Sequence, residues 1–337
     1  MGGIGGTLSV LSRQSLVASH SRQSKSAAQA LVVCMPHSSA LAPVLVRGLS
    51  LTAMLLLTTV FTTAQSPLEA TLRSLIAASG AEVAVALRTL DGKAEVLIDP
   101  DKPFHAASTM KVPVMIELFR QAKAGTVSLA EPLVIRNEFR SIVDGSTYKL
   151  SEGDDSDSAI YAALGKSLTL EQLNEAMITV SSNFATNLLI ERLDVAKIRA
   201  TVTRLGAEGM QVLRGVEDQK AFDQGLNNST TARGLLVLFE RLGHGRAVDA
   251  KSDDAMIAVL ERQKFNDAIP AGLPTGRTAI KVAHKTGNIT RIHHDAGIVF
   301  AKRPYVLVVL VRGIQEQKES ASLMASISRA VYARLNP

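Results

Sequence analysis

The hydrophobic period of this chain switches twice along its length. The segments 81-AEVAVALRTL-90 and 94-AEVLID-99 alternate as strands do and flank Asp91-Gly92, a strong hairpin signal. Helical spacing follows, first in 104-FHAASTMKVPVMIELFR-120 and then in 169-TLEQLNEAMITV-180, 184-FATNLLIERL-193, 231-TARGLLVLFERL-242 and 253-DDAMIAVLERQ-263. The strand pattern then returns in 278-TAIKVAHKT-286, 295-DAGIVFA-301 and 304-PYVLVVLVRG-313. Amphipathic helices are expected at both ends, over 67–79 and about 317–334. This order fits an α+β fold, an α/β/α sandwich. Its five-stranded antiparallel sheet is flanked by the N- and C-terminal helices, with an all-helical subdomain inserted. The boundaries read as 65–122 and 266–337 for the α/β part and 123–265 for the helical part. Within the insert, 214-RGVEDQKAFDQGLNNST-230 is a polar loop long enough to be either functional or disordered.

The first 64 residues have a different character. They contain no Asp or Glu and four basic residues, Arg13, Arg22, Lys25 and Arg47. Arg47 precedes the uncharged apolar run 48-GLSLTAMLLLTTVF-61, and 62-TTAQS-66 offers small residues for a cut after Ala64. That is the layout of a secretory signal peptide. The run is short and rich in Thr for a membrane span. An exported protein, periplasmic or secreted, is expected, with no stable membrane association after cleavage. Residues 1–34 are long for a leader, and Met35 and Met54 are alternative starts.

Removing the leader changes what composition implies. The whole chain carries a formal +6, but 33 basic and 31 acidic residues remain beyond position 64, about +2. No nucleic-acid partner is expected from such a balance. The single cysteine, Cys34, lies in the leader, so the remaining chain has no disulfide. With 46% hydrophobic residues, 4% aromatic and no Trp, it must rely on an aliphatic core.

Ser108 and Lys111 stand three apart at the start of a helical run, on one face. Taken alone, this is an N-cap followed by a first-turn lysine. It is also the spacing that lets an amine of lowered pKa take the proton of a serine nucleophile. Two further short motifs follow. Ser181 and Asn183 precede a helical run in 180-VSSNFATNLL-189, where capping is the plain alternative. Lys285, Thr286 and Gly287 lie in 284-HKTGNI-289 at the end of a strand pattern, where a turn at Gly287 is the alternative.

In order, S-x-x-K, S-x-N and K-T-G resemble the penicillin-recognising serine hydrolases, the class A β-lactamases and their penicillin-binding relatives, over about 67–335. Glu217 lies 34 residues after Asn183, where class A enzymes carry a loop glutamate; Asp218 is its adjacent competitor. The resemblance implies that Ser108 attacks a β-lactam carbonyl, with Lys111 or Glu217 as the base. Ser181 relays a proton to the ring nitrogen. Backbone N–H groups of Ser108 and Asn288 form the oxyanion hole. Lys285 and Thr286, with Gly287 beside them, hold the substrate carboxylate, and Asn183 binds the side-chain amide. Glu217 activates water for deacylation. The partner implied is a small β-lactam acting on a monomer, with no metal and no cofactor.

The pattern is broken in places. Ser182 replaces the aspartate of S-D-N, and Ala221 stands where the family has an asparagine four residues after the glutamate. No Trp follows the loop arginine, and Arg291 is the one substitute for the arginine on the strand after K-T-G. Acylation chemistry is therefore expected intact and fast deacylation is not assured. A D-Ala-D-Ala peptidase or esterase on the same scaffold is the alternative, as is a penicillin-binding protein that acylates once. A metal hydrolase using His293, His294 and Asp295 is disfavoured, because strand neighbours point to opposite faces. His105 and His284 flank the motifs as packing residues.

Overall fold

A computed structural model describes residues 66–276 and 280–337. The leader, its apolar run, the cut after Ala64 and Cys34 lie outside the described residues, as do positions 278 and 279 of the expected 278–286 strand.

The five main strands are β1 (Glu82–Thr89), β2 (Glu95–Ile98), β3 (Lys281–Ile289), β4 (Ile292–Phe300) and β5 (Tyr305–Arg312). They form one antiparallel sheet in the order β2-β1-β5-β4-β3. β1, from the start of the domain, pairs with β5 near its end, from Glu82 opposite Arg312 to Thr89 opposite Tyr305.

Alternation sorts the side chains onto two faces. Val83, Val85, Leu87, Leu307, Val309 and Val311 pack with Leu72 of α1 (Pro67–Ser79) and with Ile327 and Val331 of α9 (Gln317–Leu335). Ala84, Ala86, Val306, Val308 and Leu310 belong to the second cluster, with Leu235 and Phe239 of α7 (Ala232–Gly243). Both faces of β5 are covered, which explains its nearly unbroken apolar run.

The inserted part surrounds α2 (Lys111–Lys123), which is buried on nearly every side. Around it pack α3 (Leu170–Thr179), α4 (Asn183–Leu193), α5 (Val195–Leu205) and α8 (Ala250–Leu260). The buried Glu117 carboxylate of α2 accepts hydrogen bonds from Arg120, Gln121 and Thr201, fixing α2 against α5. The insert also holds short ribbons, Pro132–Val134 with Ser167–Thr169 and Phe139–Arg140 with Thr147–Tyr148.

Of the boundaries that differ from the sequence reading, two bear on the site. Ser108 lies in a 3₁₀ turn, Ala107–Met110, that leads into α2 rather than in its first α-turn. K-T-G does not end its strand: β3 continues to Ile289, and Thr290-Arg291 makes the hairpin turn, with Arg291 at φ 60°. Gly287 is therefore a strand residue whose lack of a side chain serves close packing, not turning. Thr286 and Asn288 of β3 line the cleft, and His284 and Lys285 are buried polar residues, so the alternation that marks other strands is absent there.

Candidate active site

Three segments converge on a cleft of about 580 Å³: the Ser108 turn, the segment before α4, and β3. Ser108, Ser181, Asn183, Glu217, Thr286 and Asn288 all line it. β3 is an edge strand, which leaves one row of its backbone groups unpaired within the sheet. Gly287 lets the Ser108 turn approach it. A Cβ at Gly287 would lie 3.1 Å from the backbone nitrogens of Ser108 and Thr109.

Lys111 is fully buried and spends three donors on three acceptors. These are Ser181 O at 2.6 Å, Asn183 Oδ1 at 2.8 Å and Ser181 Oγ at 3.2 Å. Burial lowers its pKa to about 7, against the opposing pull of Asp155 and Glu217. Lys285, also fully buried, donates to Ser181 Oγ at 3.1 Å and to Thr286 O at 2.8 Å. Its pKa is pushed well below that of an ordinary lysine by burial and then by Lys111. Two buried amines thus meet at one hydroxyl. Repulsion from Lys111 adds to burial in favouring the neutral amine at Lys285. A neutral amine can accept the proton that Ser181 otherwise directs elsewhere.

Glu217 sits at φ 60° on the loop wall and accepts from Asn183 Nδ2 at 3.0 Å. Water reaches it through the cleft, yet the surrounding protein raises its carboxyl pKa, burial first and Asp154 next. Asp218 is used differently. Its Oδ1 accepts from Ser141 Oγ at 2.9 Å and from Ala221 N at 3.2 Å, and its Oδ2 from Ile142 N at 2.9 Å. It caps the short helix α6 (Gln219–Asp223) and ties down the loop. Ala107, Ser181 and Glu217, with φ of 45°, 62° and 60°, are three of the six non-glycine residues in left-handed backbone among the described residues. Such conformations are costly, and half of them cluster at this cleft.

The 214–230 loop is closed at both ends. Arg214 donates to Leu226 O at 2.8 Å and to Asn227 Oδ1 at 3.1 Å, and Asn228 accepts from the backbone of Leu213 and Arg214. Asn187 of α4 exchanges two hydrogen bonds with Val216, at 2.7 and 2.9 Å, which fixes the backbone beside Glu217.

The sequence model of the β-lactamase enzyme family matches residues 67–335. This chain belongs to the β-lactamase enzyme family. It is 24% identical over 288 residues to the extended-spectrum β-lactamase PER-1 of Pseudomonas aeruginosa, covering 80% of this chain and 88% of that protein. A solved β-lactamase from Sphaerobacter thermophilus superposes with a TM-score of 0.69 at 25% identity, covering 79% of this chain and 97% of that one. PBP-A superposes with a TM-score of 0.67 at 26% identity, over 80% and 97% of the two chains. A PBP-A mutant solved as an acyl-enzyme complex with penicillin G gives 0.68 at 26%, over 79% and 95%. The α+β sandwich expected from the sequence is the fold of these β-lactamase neighbours.

Of Arg291, His105, His284, His293, His294 and Asp295, His105 alone lines the cleft. Arg291 donates to Gly313 O at 2.9 Å at the hairpin turn and does not line the cleft. His293 bonds Ser320 Oγ at 2.7 Å, His294 bonds His105 O at 2.9 Å, and Asp295 bonds His284 Nδ1 at 2.8 Å. The three neighbours thus reach three separate partners. His284 is a buried packing residue, whereas His105 lines the cleft and accepts from Ala107 N at 3.0 Å. The reading of the sequence passed over Asp155, whose carboxylate bonds the first turn of α4. Its only sequence signal is the acidic run 152-EGDDSD-157, which reads as a solvated loop.

Proposed function

We propose that this protein opens the β-lactam ring through an acyl-enzyme on Ser108 and hydrolyses that intermediate with Glu217. The observation that carries this is the pair of buried amines, Lys111 and Lys285, meeting at Oγ of Ser181, a residue that lines the same cleft as Ser108. Ser108 Oγ attacks the carbonyl carbon, and its proton passes to neutral Lys111 or to ionised Glu217. Backbone N–H groups of Ser108 and Asn288 receive the developing oxyanion. The C–N bond breaks, and Ser181 delivers a proton to the ring nitrogen, drawing a replacement from the lysine pair. Lys285 and Thr286, beside Gly287, hold the substrate carboxylate, and Asn183 takes the side-chain amide. Glu217 then removes a proton from water as it attacks the ester, and passes that proton to Ser108 Oγ as the acyl C–O bond breaks. Asp218, committed to its cap, is not the base. A chromogenic cephalosporin, followed through burst and steady state, tests the whole sequence: a sustained rate supports it, and no ring opening overturns it.

A second reading has its own support. Ala221, at the position of the family's water-positioning asparagine, is fully buried and apolar, and its N–H is taken by Asp218. Slow deacylation, as in a penicillin-binding protein or a peptidase, would give a burst of one equivalent and little turnover.

Gly287→Ala is expected to reduce acylation about 10-fold or more, because a methyl there pushes the Ser108 turn off β3. The rate of labelling by a fluorescent penicillin, with thermal unfolding as the control for folding, measures it; an unchanged rate would show that the turn accommodates the methyl.

Export as a monomeric domain of residues 65–337 belongs to the same reading. Ser66 caps α1 by accepting from Glu69 N at 3.1 Å, so a cut after Ala64 leaves the first helix of the fold intact. No helix among the described residues is long and apolar enough to cross a membrane. N-terminal sequencing of exported protein is expected to begin at Gln65; a retained 49–61 segment would mean an anchored protein.

A further inference from the structure

We infer that Asp155 is a positioning residue for acyl transfer, holding Ser181 and Asn183 in place through the first turn of α4. This rests on the acyl-transfer reading above. Asp155 reaches α4 from a separate loop, ahead of the 3₁₀ segment Ser158–Ala163. Its Oδ1 accepts from Asn183 N at 3.1 Å and its Oδ2 from Phe184 N at 2.8 Å. The hydroxyls of Ser182 and Tyr161 approach Oδ2 at 3.4 Å each. Asp157 N donates to Oδ1 at 3.1 Å and braces the carboxylate from its own loop.

The first N–H groups of a helix have no partner within it, and a negative charge is favoured there. Here two side chains divide them. Asp155 takes those of Asn183 and Phe184, and Ser182 Oγ takes that of Ala185 at 3.2 Å. The family pattern has an aspartate at position 182; in this chain the carboxylate comes from elsewhere in the sequence.

What the turn carries makes the contact matter. Ser181, just before it, is held in left-handed backbone at φ 62°. Ser181 O and Asn183 Oδ1 are two of the acceptors of Lys111, and Asn183 Nδ2 bonds Glu217. A shift of this turn therefore displaces both candidate bases together.

The charge of Asp155 acts on the same groups. Lys111 faces Asp155 from this loop, Glu217 from the 214–230 loop and Lys285 from β3. Asp155 favours the charged form of Lys111, and with Asp154 it favours the protonated form of Glu217. Removing its charge thus favours the free base whichever of the two acts: neutral Lys111 or ionised Glu217. The acid limb of acylation must then move to lower pH.

Asp155→Asn and Asp155→Ala, with the wild type, would be labelled with a fluorescent penicillin between about pH 4.5 and 8. The expected maximum rate falls about 10-fold or more. The acid limb is expected to move down by about 0.5–1 unit in both variants. Peptide mapping of the adduct to Ser108 and thermal unfolding confirm the site and the fold. A folded variant that acylates at the wild-type rate overturns the inference. So does a slower variant whose acid limb stays in place, since that is what loss of a merely structural contact would give. A wild-type protein that takes up no penicillin at any pH overturns the acyl-transfer reading first, and this inference with it.

Discussion

Ser108→Ala is expected to leave a folded protein that forms no covalent penicillin adduct, with acylation reduced by about 10⁴-fold or more. Ser108 is half-buried on a 3₁₀ turn at the head of α2, in the same cleft as Ser181, Asn183 and Thr286. Ser181 is the hydroxyl that both amines contact, which suits it to the proton relay proposed above. Intact-protein mass spectrometry after incubation with penicillin reads the result directly. Thermal unfolding should stay within a few degrees, because losing one hydroxyl at a polar, strained site costs little and can stabilise. An adduct of full stoichiometry on the variant would remove Ser108 from its role and take the mechanism with it.

Glu217→Gln is expected to acylate and then stall. A general base typically contributes ~10²–10⁴-fold to rate, and that factor should be lost from deacylation, while Lys111 remains as a base for acylation. Glutamine keeps the size and still offers Oε1 to Asn183 Nδ2, which Glu217 now holds at 3.0 Å, so the cleft should keep its shape. The readouts are a burst of one equivalent, a slow steady state, and an acyl-enzyme mass that persists. The wild type adds a check on pH. Burial and Asp154 raise the Glu217 carboxyl above the usual range. A base must be ionised to act, so deacylation should be present at neutral pH and lost as pH falls through that raised value. Loss should therefore begin at a higher pH than for a glutamate in open solvent with no acidic neighbours. Equal turnover by variant and wild type would make Glu217 a bystander. A wild type that itself stalls would shift the reading toward a penicillin-binding protein, with buried Ala221 as the physical reason.

The arrangement of chemistry was legible where it coincided with local pattern. S-x-x-K announces itself because Ser108 and Lys111 stand at the start of a helical run, and a three-residue spacing there puts two side chains on one face. Ser181 and Asn183 were legible as residues before a helix, and the sheet as apolar alternation in β1 and β2 and as short apolar runs in β4 and β5. The extent of β3 was not, because Lys285, Thr286 and Asn288 belong to the cleft and interrupt the pattern that marks a strand.

The sequence by itself determined the α+β class, the motif order and the family, because periodicity and short spacings are local properties of the chain. Tertiary structure alone decided how the two loop carboxylates at the cleft are engaged. Glu217 and Asp218 are neighbours of the same chemical type, and only the fold shows Asp218 engaged by Ser141 and Ile142 while Glu217 meets Asn183. It likewise decided that Lys111 and Lys285, 174 positions apart in the sequence, are buried at one hydroxyl, where burial pushes both amines toward neutrality and Lys111 pushes Lys285 further. It removed Arg291 from the cleft and brought Asp155 to the start of α4. In each case the deciding quantity is burial or a contact between distant segments, which no pattern within a single segment encodes.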